Sequence, residues 1–232
     1  MAWRNSVAGL FKTFALALSL ALLACISACA DDGWQRVAAV MDGDTFRLEN
    51  GGRVRVAGID TPEMHPQEQK GAQASLQRTK QLLRKSGNQV RLEVLAQDRY
   101  QRNVAEVWLR SEESLGEILL SEGLAVFYWH SNLPNDFCQR MLSAQRYALK
   151  RKAGHWEFML SLPAAKGRFV GNCNTRRVYP ADSSLFQRIS PKNRVVFGSL
   201  EEALWEGYSP SRESNIWPLQ QNSQRGKYPF FR

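Results

Sequence analysis

Between Gln35 and Arg110 apolar and polar residues alternate in short runs broken by turn residues. Arg36 to Val40, Thr45 to Glu49 and Arg53 to Ile59 carry β-branched side chains, with Asp42-Gly43-Asp44 and Asn50-Gly51-Gly52 between them. This is the pattern of strands joined by tight turns. The period then changes: Ala72, Leu76, Thr79 and Leu83 recur at helical spacing until Ser86-Gly87-Asn88 stops the run. Val90 to Ala96 alternates again, and Val104 to Leu109 follows as a partner strand. Leu115, Ile118 and Leu119 begin a second helix that ends at Gly123; Phe137, Met141, Ala144 and Ala148 mark a third.

Three strands, a helix, two strands and further helices predict a mainly β, α+β fold: an OB-like five-stranded Greek-key barrel capped by three helices. This domain is expected over 35–156. After Trp156 the character shifts. Leu162-Pro163 and Gly167 read as a linker, and 168–214 reads as a small α+β module. Residues 215–232 mix Gln, Asn, Arg and aromatics without a period, which predicts a weakly ordered tail.

The first 29 residues stand apart. Arg4 and Lys12 precede an apolar run from Phe14 to Ala28 that ends in small residues, the layout of an export signal. Two exits compete. Ala28-Cys29-Ala30 suits ordinary signal cleavage, whereas Ile26-Ser27-Ala28-Cys29 resembles a lipobox that would lipidate Cys29 and anchor the chain to a membrane. The expected location is periplasmic, outer-membrane-anchored or secreted. Without this segment the chain keeps 29 basic and 22 acidic residues, a balance suited to a polyanionic partner. Cys138 and Cys173 then remain deep in the chain, either bridged or as two free thiols.

Candidate chemistry lies in two short windows. A phosphodiester repels an attacking water until its charge is offset. A hard cation on oxygen ligands can supply that offset, guanidinium groups can grip phosphate oxygens, and a carboxylate can orient the water or take its proton. Asp44 leaves the first turn, Arg55 lies on the third strand opposite in direction to Val54 and Val56, Asp60 ends that strand, and Glu63 follows Pro62. Arg102 closes the turn Asp98-Arg99-Tyr100-Gln101-Arg102. Taken singly each is ordinary, because Asp-Gly-Asp makes hairpin turns and Asp-Thr-Pro-Glu opens helices. The combination carries the signal.

Val40-Met41-Asp42-Gly43-Asp44-Thr45, Arg55-Val56-Ala57-Gly58-Ile59-Asp60-Thr61-Pro62-Glu63 and Asp98-Arg99-Tyr100-Gln101-Arg102 closely resemble the staphylococcal nuclease (thermonuclease) pattern. Glu122-Gly123-Leu124-Ala125 ahead of an aromatic strand extends the match. The resemblance implies hydrolysis of DNA and/or RNA with low sequence specificity, leaving 3′-phosphate ends. It implies that the Asp44 and Asp60 carboxylates and the Thr61 carbonyl hold calcium, with magnesium as the alternative cation. Glu63 would be the general base or water-orienting group, Arg55 and Arg102 would hold the scissile phosphate, and Tyr100 and Trp129 would contact substrate. The chain departs from the pattern at Gln101 and Asn103, where the family has glycines, and at Trp129, which reads equally well as a core aromatic.

The segment from Phe169 to Pro210 resembles the small zinc-binding module of bacterial methylphosphotriester DNA-repair proteins. Ser184, Ser211 and Ser214 stand where that module has cysteines. Serine is a poor zinc ligand, so a metal-free remnant is expected, in a chain that is monomeric. The rival reading from another class is a non-catalytic OB-fold nucleic-acid-binding envelope lipoprotein. Ligand spacing among His65, His130 and His155, Cys-x-x-Cys pairs and phosphate-cradling glycine loops are all absent from the sequence.

Overall fold

The computed structural model describes residues 33–214. The expected export signal with Cys29 and the tail 215–232 lie outside the described residues. Five strands close into a barrel in the order β1-β2-β3-β6-β5: β1 (Trp34–Val40), β2 (Thr45–Leu48), β3 (Arg53–Val56), β5 (Gln89–Gln97) and β6 (Asn103–Trp108). β1 and β2, β2 and β3, and β5 and β6 pair antiparallel, and β3 and β6 run parallel. This is the five-stranded, helix-capped barrel that the alternation of the strands predicts.

Helix α1 (Ala72–Lys85) turns Ala72, Leu76, Thr79 and Leu83 inward, the face set by their spacing. With α2 (Leu115–Ser121) and α3 (Asn135–Lys150) it covers a core of Phe46, Val54, Val56, Leu83, Val107, Leu119 and Met141. The third strand is shorter than the run of β-branched residues suggests. It stops at Val56, the chain turns at Ala57-Gly58, and Ile59–Asp60 forms a separate strand, β4, paired with β7 (Val126–Phe127). Gly58 has φ +70°, a conformation that disfavours any side chain. A Cβ there would also lie 2.6 Å from the Phe137 ring.

The C-terminal sheet has the order β10-β8-β9-β11, from β8 (Phe169–Asn172), β9 (Arg177–Pro180), β10 (Arg194–Phe197) and β11 (Ser209–Pro210). It carries one short helix, Leu200–Trp205; with α4 (Trp156–Ser161) as the fourth helix, this is α5. A second apolar core unites this sheet with the capping helices: Phe169, Val178, Leu200 and Leu204 pack with Val126, Ala148, Leu149 and Trp156. The stretch read as a linker is a packed 3-10 turn, Pro163–Lys166, with Ala165 buried in that core. Its six-residue neighbour α4 is too short for a period to show.

Polar contacts fasten the same seam. The buried Gln145 accepts from the Phe127 N–H at 2.7 Å and donates to the Leu204 carbonyl at 2.7 Å. Arg146 donates to the Trp205 carbonyl at 2.8 Å. Cys138 is buried in α3 and Cys173 exposed, and both are free thiols. Among the described residues no helix is long and apolar enough to cross a membrane.

Candidate active site

Strand register sets the geometry of the site. Thr45 lies opposite Arg55, and Arg55 pairs on its other side with Val104. Val54 and Val56 fill the barrel, so Arg55 points outward by the period of two, onto the turn that ends in Asp44. The turn itself is tightly held. Asp42 Oδ1 accepts from the Asp44 N–H at 3.1 Å, and Thr79 of α1 donates to the Gly43 carbonyl at 2.6 Å. A Cβ at Gly43 would come within 2.7 Å of Ser75 and 2.8 Å of Thr61. Only glycine allows α1 and the 61–71 loop to close on this turn.

Asp44 is 1% exposed. One carboxylate oxygen accepts from Arg55 and from Thr45 Oγ1 at 3.0 Å; the other accepts from the Thr61 N–H at 2.8 Å and its hydroxyl at 3.1 Å. Arg55 also donates to the Asp60 carboxylate at 2.6 Å and to the Ile59 carbonyl at 3.1 Å. Burial pushes the Asp44 carboxyl well above the usual carboxylate range. Arg55 pulls the other way, while Asp42 and Asp60 add to the push. Burial opposes the charge on Arg55 in turn, but Asp44 and Asp60 outweigh it and hold the guanidinium protonated more firmly than usual.

Arg102 is tied to the base of its own turn by Nε donating to Asp98 at 2.8 Å, and its Nη1 reaches Thr45 Oγ1 at 3.4 Å. The Thr45 hydroxyl thus links Arg102 to Asp44. Gln101, at a family glycine position, adopts φ +60°, so the turn keeps the left-handed geometry that glycine would provide. Glu63 sits in the loop after Asp60, its N–H donating to Gln69 Oε1 at 2.8 Å. Burial raises its pKa, with Arg212 opposing and Asp44 and Asp60 reinforcing the rise.

Arg212 comes from the other end of the chain. It follows β11, donates to Asp60 and contacts Glu63 at 2.8 Å. It lines a groove of about 430 Å³ together with Arg55, Arg102, Tyr100, Tyr128 and His130. Tyr100 is half exposed, and both Arg99 and Arg102 approach its ring. Trp129 takes a different place: its side chain packs against the barrel core, and its carbonyl accepts from Arg177 at 3.1 Å. Arg177 also lies over the Tyr128 ring. In the sequence Tyr128 reads as a core aromatic beside Trp129 and His130 as a histidine without ligand spacing, yet both line the groove; no motif marks Arg212.

The donor chemistry of the site suits a hard cation. Asp44 and Asp60 place two carboxylates on one guanidinium in a desolvated pocket, where excess negative charge is costly. Among the described residues no three His, Cys, Asp or Glu side chains form a metal cluster. A cation on these two carboxylates would complete its shell from backbone and water oxygens, which is ordinary for calcium and magnesium.

Comparison with known proteins agrees with this geometry. The family model described as staphylococcal nuclease homologue matches residues 53–158. The thermonuclease of Staphylococcus hyicus is 36% identical over 137 residues, covering 55% of this chain and 78% of that protein. The thermonuclease of Staphylococcus intermedius is 36% identical over 131 residues, covering 52% and 74%. The span 53–158 holds β3, β5, β6, the helices α1 to α3 and the residues Arg55, Asp60 and Arg102, and lies beyond β1, β2 and Asp44; with relatives 36% identical whose length is covered to 78% and 74%, the chain belongs to the staphylococcal nuclease family.

Proposed function

We propose that this protein is a metal-dependent nuclease that hydrolyses phosphodiester bonds of DNA and/or RNA with little sequence preference, leaving 3′-phosphate ends. The observation that carries the reading is the meeting of Asp44, Asp60 and Arg55, with Arg102 linked to them through Thr45, beside a groove of about 430 Å³ that Arg55 and Arg102 both line.

Asp44 and Asp60, with the Thr61 carbonyl, would hold calcium, or magnesium in its place. A bound cation offsets phosphate charge. Glu63 accepts a proton from water more readily than an ordinary surface carboxylate, as its raised pKa suits a general base. As Glu63 takes a proton from the water, the water oxygen attacks phosphorus, the bond to the 5′ oxygen breaks, and that oxygen leaves, assisted by Arg102, and takes up a proton from solvent. Arg55 and Arg102 donate to the non-bridging oxygens and favour the extra charge of the transition state. Tyr100 at the groove rim offers a face for a base to stack on. Gripping backbone and stacking bases gives broad specificity.

The C-terminal sheet reads as a metal-free relative of the zinc-binding repair module, on sequence resemblance. Its serines are engaged locally: Ser211 Oγ accepts from the Glu213 N–H, and Ser214 Oγ donates to the Ser211 carbonyl. The leader pattern supports export, with attachment through Cys29 as one route.

The test is incubation of the protein with plasmid and single-stranded DNA, in calcium or in chelator. Calcium-dependent loss of both substrates is expected. Tight retention of DNA with no cleavage in either condition would replace the enzyme with a binding protein.

A further inference from the structure

Arg212 follows the last strand of the C-terminal sheet, outside the family match, yet it lines the groove of the active site. We propose, resting on the phosphodiesterase reading above, that Arg212 is a substrate-binding residue that grips a phosphate oxygen of the bound strand beside the scissile linkage.

Position is the first support. Arg212 lines the same groove as Arg55, Arg102 and Tyr100, and its guanidinium stands against Asp60 and Glu63. A strand laid along that groove passes within reach of it. Rigidity is the second. The Ser211 N–H donates to the Val178 carbonyl of β9 at 3.0 Å, and the Ser214 N–H donates to the Ser211 carbonyl at 3.0 Å, so the backbone on both sides of Arg212 is fixed. The sheet behind it is joined to β7 and the capping helices by Gln145 and by the shared core. A guanidinium held on such a support loses little freedom when it binds an anion.

Exposure separates its role from that of Arg55. The Arg55 side chain is 13% exposed and engaged by two buried carboxylates, whereas that of Arg212 is 54% exposed. Its planar fork can therefore face carboxylates on one edge and an incoming phosphate on another. A cation held by Asp60 would offset part of the charge that now faces Arg212, while Glu63 would remain its neighbour.

The experiment compares the full chain with its Arg212→Gln and Arg212→Lys variants on a short single-stranded oligonucleotide in calcium. Folding is checked by circular dichroism and thermal melting. Arg212→Gln should raise KM about tenfold with kcat little changed, and make the slope of log kcat/KM against log salt shallower by about one. Arg212→Lys keeps the charge, so it should keep the salt slope and raise KM less; it also serves if the Gln variant does not fold. Unchanged KM and salt slope in both variants would show that Arg212 does not touch substrate. A rise in kcat/KM for Arg212→Gln would make Arg212 a plug over the carboxylates and overturn the proposal in the opposite sense. Failure of the unaltered protein to bind or cut DNA overturns the phosphodiesterase reading, and this proposal with it.

Discussion

Arg55 reaches over the Gly58 turn to Asp60, donating to its carboxylate at 2.6 Å and to the preceding carbonyl at 3.1 Å. The contact exists because β3 ends at Val56 and the chain doubles back before β4. A continuous strand to Ile59 would carry Asp60 away from Arg55.

That turn gives the first prediction. Gly58→Ala forces a side chain onto a φ of +70° and into the Phe137 ring. Left-handed strain and overpacking together should cost about 3 kcal/mol of stability. Urea denaturation of the purified variant measures it, and a loss within error of zero would mean that the turn relaxes freely.

Glu63→Gln tests the base. It preserves the shape of the side chain and removes the proton acceptor, so kcat should fall by roughly 10²–10⁴ while DNA affinity stays within a few-fold. Single-turnover cleavage and fluorescence anisotropy separate the two effects. A variant that cuts as fast as the parent assigns the base elsewhere.

The seam between barrel and C-terminal sheet should be sensitive to one amide. Gln145→Leu keeps the volume but takes the acceptor from the buried Phe127 N–H, while the Leu204 carbonyl keeps the Gly207 N–H at 3.1 Å. One orphaned donor and one lost hydrogen bond predict a loss of about 1.5–4 kcal/mol, with the transition still cooperative because the core is shared. Guanidinium titration followed by Trp fluorescence reads both quantities.

His155 predicts a pH effect on stability away from the carboxylate cluster. Its Nε2 lies 3.1 Å from Ser75 Oγ, whose own proton goes to the Leu124 carbonyl at 2.7 Å. Nε2 therefore carries the hydrogen of a neutral ring. Burial lowers its pKa from 6.5 to about 4. Above pH 6.5 the ring is neutral in both states and its contribution is fully present. Below that the unfolded chain takes the proton first, so stability falls as pH drops from 6.5 to about 4. His155→Gln should flatten this part of the stability profile relative to the parent; parallel profiles would contradict the buried neutral ring.

Much of the barrel was legible because both periods were unbroken. Strands filled with alternating residues such as Val54 and Val56, and α1 with Ala72, Leu76, Thr79 and Leu83, each have one apolar face that only one orientation can bury. The cluster Asp44, Arg55, Asp60 was legible for another reason: all three lie within 17 residues, on or beside a hairpin whose register is set locally. Arg102 joins them through the β3–β6 pairing, a longer-range event that the motif order anticipated. Trp129 shows the limit of position alone. One step along an extended segment turns a side chain to the other face, so Trp129 packs on the core while Tyr128 and His130 line the groove.

By itself the sequence determined the strand and helix faces, the turn at Gly43 and the local grouping of charged residues, because these depend on side-chain period and backbone freedom over a few residues; the turn at Gly58 lies inside a run that reads as one strand. Tertiary structure alone decided that the C-terminal sheet shares a core with the capping helices and delivers Arg212 to Asp60 from 152 positions away. Such contacts arise from the packing of whole apolar surfaces, and no short pattern around Arg212 encodes them.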